Sequence, residues 1–99
     1  MFYAIIALDS KDSLSKRMSY RPQHLARIQL LQNQGKLLLA GPFPAIDSMD
    51  PGQEGYTGSL IVAEFVSLKE AILWAHADPF FTSGVYASVD VKPFRKTLP

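Results

Sequence analysis

Ser59-Leu60-Ile61-Val62-Ala63-Glu64-Phe65-Val66, followed at once by Ser67 and three residues later by Glu70, marks a strand giving way to a helix. Apolar side chains point both ways along this strand, since Leu60 and Val62 alternate with Ile61, Ala63 and Phe65, so both of its faces require cover. Ser67 and Glu70 form a capping box ahead of Ala71, Ile72, Trp74 and Ala75, which predicts a helix ending near Ala77. Asp78-Pro79 breaks that helix, because the residue before a proline is pushed out of helical geometry. Phe80 to Gly84 then makes one further turn, and Val85 to Val91 alternates cleanly as a last strand. Pro93, which cannot donate to a ladder, places this strand at a sheet edge.

Toward the N-terminus, Phe43 to Tyr56 is rich in Pro, Gly, Asp and Ser and has no period of 2 or of 3.6 residues, so it reads as a loop with the role of a lid or pocket wall. Lys36 to Pro42 reads as a short second strand, bounded by Gly35 and stopped by Pro42, and again suited to an edge. A main helix is expected from Pro22, preset for a first turn, to Gln34, with Gly35 ending it. A shorter helix over Leu14 to Tyr20 has Asp12 or Ser13 as its cap. Phe2 to Leu8 is a first strand, apolar on both faces. The order β-α-β-β-α-β makes two split β-α-β units, an α+β ferredoxin-like fold whose four-stranded antiparallel sheet carries both helices on one face. Right-handed crossovers put strands one and three in the centre and two and four at the edges, which is where Pro42 and Pro93 had already placed them.

Composition bounds what such a domain can do. Residues 1–99 make one domain, and 47% hydrophobic with 19% charged residues leaves little room for disorder. A formal net charge of +1 gives no strong pull on nucleic acid or an anionic membrane. Without cysteine there is no disulfide, no thiolate chemistry and no cysteine-bound zinc, and His24 and His76 lie too far apart for a paired-histidine metal motif. No Gly-rich phosphate loop or RNA-binding aromatic motif occurs, so neither a metal nor a cofactor is expected. Asp9, Lys11 and Asp12 interrupt the apolar start, so no secretory signal is read and a cytoplasmic location is expected. Helices cover only one face of the sheet, while the first and third strands are apolar on both. Leaving that second face wet would cost several kcal/mol at about 25 cal/mol per Å², so a homodimer stacked sheet on sheet is expected.

Candidate chemistry concentrates at Arg17-Met18-Ser19-Tyr20-Arg21-Pro22-Gln23-His24-Leu25. His24 shares a helix side with Ile28 and Leu31, so its imidazole lies on the apolar face. Two readings stand: a core histidine with both nitrogens satisfied, or an acid or base held in a pocket. No acidic residue occurs between Ser13 and Ile46, whereas Lys16, Arg17, Arg21, Arg27 and Lys36 all do. Arg17 and Arg21, four apart, would put two guanidiniums beside His24 as a clamp for a carboxylate or enolate; a solvated basic face is the competing reading. Asp78 reads as the N-cap of the turn begun by Pro79. Ser19 and Ser59 are hydroxyl candidates outside any nucleophile elbow. Tyr20, Tyr56 and Tyr86 are candidate phenolic donors to a ligand but read mainly as packing residues, Trp74 as core or dimer contact, and His76 as a cation at a helix C-terminus.

Arg17, the Arg21-Pro22-x-His24-Leu25 run, Gly35 with Leu38-Leu39-x-Gly41-Pro42, Gly58-Ser59, Asp78-Pro79-Phe80, Gly84-Val85-Tyr86 and Val91-Lys92-Pro93-Phe94 together resemble the YCII-related proteins, over nearly the whole chain. The resemblance implies the ferredoxin-like fold of dimeric α+β barrels, a homodimer, and an active site centred on a His–Asp pair, here His24 and Asp78. It also implies kinship with muconolactone-isomerase-like barrels and with dehydrochlorinases of aromatic ring compounds, and supplies no settled substrate for the small stand-alone members.

Two functions follow as expectations. One is a cofactor-independent lyase or isomerase in which His24 shuttles a proton, Asp78 orients it, and Arg17 and Arg21, with Ser19 and Ser59, hold a small anionic, aromatic or enolic substrate. The other is a non-catalytic module that binds a small acid in the same pocket, favoured if His24 is fully enclosed with both nitrogens paired.

Overall fold

A computed structural model describes all residues, 1–99. Its elements are β1 (Phe2–Asp9), α1 (Leu14–Asn33), β2 (Leu37–Pro44), a short 3-10 helix (Gly52–Glu54), β3 (Tyr56–Glu64), α2 (Leu68–His76), α3 (Pro79–Thr82) and β4 (Tyr86–Phe94). The sheet is antiparallel in the order β2-β3-β1-β4, so β1 and β3 are central and β2 and β4 are edges. This is the ferredoxin-like α+β arrangement that the element order predicts.

Strand pairing explains where the core sits. Ile5 stands opposite Ile61 on one side and Val91 on the other, so the odd-numbered residues of β1 share a face with alternate residues of both neighbours. Tyr3, Ile5 and Ala7 are buried on that face. Ile28 and Leu31 of α1 and Ala75 of α2 pack onto it with Ile61 and Ala63. Each such large apolar side chain removed from water contributes roughly 1.5–3 kcal/mol. The even face of the sheet carries no helix: Phe2, Ala4, Ile6 and Leu60 are only half-buried, and Leu8, Leu39 and Phe94 are exposed.

Several boundaries differ from the expectation. Instead of a short helix followed by a longer one, α1 runs unbroken through Pro22. Pro22 lacks the N–H that would bond to Met18 four residues earlier, but both residues lie on the exposed side, where the freed carbonyl is open to solvent. Ser13 stands at the N-cap but makes no side-chain cap bond. At the other end Gly35 adopts φ 71°, its N–H reaches the Gln32 carbonyl and the Lys36 N–H reaches the Leu31 carbonyl, which is a Schellman stop. Pro42 does not end β2, which continues to Pro44, because an edge strand turns one row of N–H groups to solvent and tolerates residues without them. β3 begins at Tyr56, three residues before Ser59, and ends at Glu64, leaving Val66 exposed. β4 runs on through Pro93 to Phe94. Ser67 caps α2, with the Glu70 N–H donating to Ser67 Oγ at 3.1 Å, while the reciprocal bond of a full capping box, from the Ser67 N–H to the Glu70 carboxylate, is not formed.

Gly58 is opposite Leu8 where β1 and β3 approach closely, and a Cβ there would sit 2.0 Å from the Ala7 carbonyl oxygen. Because that oxygen is backbone and cannot swing aside, Gly58→Ala is expected to lower stability by about 1–3 kcal/mol or more, read as a lower urea midpoint at unchanged slope. An unchanged midpoint would show that the two strands do not approach as described.

Candidate active site

His24 is seven positions beyond Arg17 along the helix and Leu31 seven beyond His24, so these side chains form one stripe with Ile28 on the side of α1 that faces the sheet. Two of the four are polar, and both are buried. Burial of such groups demands partners, and the partners come from other elements.

Asp78 supplies the partner of His24. It is the N-cap of α3, with Pro79 in the first helical position and the Phe80 N–H donating to Asp78 Oδ1 at 2.9 Å. His24 Nδ1 lies 2.8 Å from the same oxygen, and Arg27 Nη1 donates to Asp78 Oδ2 at 3.0 Å. A carboxylate that receives a backbone N–H and a guanidinium is ionised and acts only as an acceptor, so Nδ1 of His24 carries the proton of that bond. The lone pair of the neutral ring is then on Nε2, which bonds to no protein group. Phe80 stacks on the imidazole at 3.9 Å and 11°, and Tyr86 meets it edge-on at 6.3 Å, so the ring plane is held from two directions. Asp78 is thus a helix cap and the partner of His24 at once.

Arg17 has a different environment from the one its spacing suggested. Its guanidinium grips Asp9 of β1 through Nε to Oδ2 (2.9 Å) and Nη2 to Oδ1 (3.2 Å), and Nη2 also donates to the Gly58 carbonyl (3.0 Å) and to Ser59 Oγ (2.8 Å). Its faces rest on Phe80 and Tyr56. Its charge is therefore already answered by Asp9, and it ties β1, α1 and β3 together while orienting Ser59. Arg21, one turn on, is exposed, forms no ion pair and lines the same cleft, so it is the available cation. Ser59 is buried and lines the cleft; Ser19 is exposed and does not, because two residues of helix turn it by about 200° away from Arg17.

The cleft between α1 and β2 has a volume of ≈ 1090 Å³, with His24, Ser59, Ile61 and Phe80 along its inner wall. Asp50, Gly52 and Gln53 of the 43–56 loop form part of its boundary, so that loop is a pocket wall. The volume suits a small organic molecule. Nowhere do three His, Asp or Glu side chains converge as metal ligands, and no helix is long and apolar enough to cross a membrane.

Two participants were not identified from the sequence as site residues, Asp9 and Arg27, and the hydroxyl of Tyr86, a candidate ligand donor read mainly as packing, is buried beside them. The available signal was indirect, in that an acid-free stretch containing buried cations must draw its counter-ions from outside, as Arg17 does from Asp9 and Arg27 from Asp78. Tyr86 Oη is buried without a hydrogen-bond partner. Burial is the main cause that pushes its hydroxyl up from 10.0 to about 12; Asp78 and Asp9 add to the shift, while Ser59, near but not in bonding geometry, and Arg17 oppose it.

A family model described as YCII-related domain matches residues 1–95. Protein YciI of Escherichia coli is 59% identical over 98 residues, covering 99% of this chain and 100% of the relative. A Haemophilus influenzae protein described as uncharacterized is 50% identical over 98 residues with the same coverage. Among solved structures, 5-chloro-2-hydroxyhydroquinone dehydrochlorinase (TftG) of Burkholderia phenoliruptrix, in complex with 2,5-dihydroxybenzoquinone, superposes with a TM-score of 0.84 at 26% identity, covering 96% of this chain and 94% of that one.

The raised Tyr86 value means that the folded state holds this proton more tightly than the unfolded chain does. Its contribution is complete below pH 10 and is lost as pH rises through about 12, a fall of roughly 2–3 kcal/mol. Tyr86→Phe is expected to be as stable as wild type or more so at pH 8, since it removes an unpartnered buried hydroxyl, and to show a smaller alkaline loss. Urea unfolding of both proteins at pH 8 and pH 11 checks this; equal alkaline losses would refute the assignment.

Proposed function

The chain belongs to the YCII-related domain family, and from that membership together with the chemistry of the cleft we propose a cofactor-independent enzyme, a lyase or isomerase acting on a small anionic, aromatic or enolic substrate. The observation that carries this reading is the 2.8 Å bond between His24 Nδ1 and a fully committed, ionised Asp78, which leaves Nε2 as a base on the wall of a cleft. Nε2 accepts a proton from a hydroxyl or an acidic carbon of the substrate. An isomerase returns that proton to a different atom of the same molecule. A lyase expels a leaving anion as the electron pair collapses, and the imidazolium gives its proton to water or to that anion. Asp78 stabilises the imidazolium without becoming protonated. Arg21 at the cleft holds the anionic group, Ser59 Oγ donates to a substrate oxygen, and Arg17 positions Ser59. The dehydrochlorinase, named for a chlorinated hydroxyhydroquinone and holding a dihydroxybenzoquinone, both oxygenated six-membered rings, supports hydroxylated rings as the first class to try.

The same proposal extends to assembly. The helix-free face presents Leu8, Leu39 and Phe94 exposed beside the half-buried Phe2, Ala4 and Ile6, an apolar surface that a second copy of the chain would cover. Light scattering is expected to give twice the chain mass, falling to a monomer in Leu8→Glu; a wild-type monomer at micromolar concentration would remove the homodimer.

Screening hydroxylated and ring-halogenated aromatic acids and small enol acids, with halide release and ultraviolet absorbance as readouts, is expected to find turnover. In His24→Ala it should drop by about 10²–10⁴ while circular dichroism stays native. Saturable binding without any product, in wild type and variant alike, would replace the enzyme reading with that of a small-ligand-binding module.

A further inference from the structure

Arg27 is on α1 one turn beyond His24, and both reach across to the same carboxylate from one helix. Nη1 of Arg27 donates to Asp78 Oδ2 at 3.0 Å, while Nη2 donates to the Trp74 carbonyl at 2.9 Å and the guanidinium lies 4.3 Å over the Trp74 ring. Trp74 is in the last turn of α2, whose final carbonyls lack helical partners, and Asp78 caps the start of α3. One guanidinium thus closes the corner where α2 ends and α3 begins, and does so on the oxygen of Asp78 that His24 does not use.

We infer that Arg27 is a positioning residue of the proton-transfer pair, holding Asp78 Oδ2 so that Oδ1 faces His24 and offsetting the carboxylate charge so that the imidazole stays a neutral base. The inference rests on the proton-transfer reading of the cleft. Its physical basis is that an unopposed carboxylate 2.8 Å from an imidazole favours the protonated ring, which cannot accept a proton. A cation on the carboxylate's far oxygen weakens that preference. Other charged and titratable groups around the ring do not do this. Tyr86 of β4 meets it edge-on. Arg17, on α1 itself, is neutralised by Asp9 of β1 and stacked on Tyr56 of β3, and Arg21 is turned out to the cleft and exposed. β2 contributes no titratable side chain. Asp78 alone bonds to an imidazole nitrogen, and Arg27 is its counter-ion.

The test is an NMR titration of the His24 ring in wild type, Arg27→Gln, Arg27→Lys, Asp78→Asn and the double variant Arg27→Gln/Asp78→Asn. Arg27→Gln keeps a donor for Oδ2 but loses the charge, and the His24 titration is expected to move to higher pH. Arg27→Lys keeps the charge and should titrate close to wild type; this variant also decides the matter if the glutamine protein does not fold. In the Asp78→Asn background the glutamine substitution should have no further effect, because the charge that Arg27 offsets is gone. An unmoved titration in Arg27→Gln, an equal shift in Arg27→Lys, or a full shift surviving in the double variant would each overturn the inference while leaving the His24–Asp78 reading intact. A wild-type His24 that does not titrate at all would remove that reading, and the role of Arg27 with it.

Discussion

A buried polar or charged group has to be met by a partner, and the placement of two such meetings organises this domain. Arg17 and His24 lie on the face of α1 that a purely structural helix would fill with leucine or isoleucine. Each is satisfied only because a carboxylate from elsewhere is delivered to it: Asp9 from the end of β1 and Asp78 from the cap of α3. Removing one partner of such a pair leaves an uncompensated charge worth about 3–5 kcal/mol of destabilisation, far more than an exposed ion pair contributes. The positions of β1, α1 and α3 relative to one another are therefore specified by polar geometry as well as by the apolar contacts of Ile5, Ile28 and Ile61.

The two meetings divide their roles by what they leave unsatisfied. Arg17 spends its donors on Asp9, Gly58 and Ser59, so little of it remains for a ligand. The second centre commits Asp78 completely but engages only one nitrogen of His24, so Nε2 is left without a protein partner. Saturation in one place and a single unpartnered ring nitrogen in the other are what distinguish the two contacts.

The sheet was legible in the sequence because strands and edges leave local marks: alternation in Val85 to Val91, prolines at positions 42 and 93, a capping box at Ser67. Boundaries were less so. Pro22 breaks a helix by rule, yet on the solvent side of α1 the freed carbonyl faces open solvent and the helix continues. Ser19 looked like a neighbour of His24 along the chain and faces away in space. The pairing of Arg17 with Asp9 left no local trace, since it joins a helix to the preceding strand across a turn. The acid-free run from Leu14 to Ala45 looked like an anion-binding face, but two of its cations, Arg17 and Arg27, find carboxylates from outside the run, and only Arg21 stays free at the cleft.

The polar stripe on α1 also bears on how the chain can fold. His24 and Asp78 are separated by 54 positions, so the helix cannot bury its imidazole in paired form until the C-terminal third of the chain has arrived. An early intermediate that docked α1 on β1 alone could satisfy Arg17 through Asp9, eight residues away, but would still enclose an unmatched histidine. That mismatch disfavours half-assembled states and leaves the complete fold as the one arrangement in which the stripe is satisfied along its whole length, so the same polar pairs favour cooperative folding.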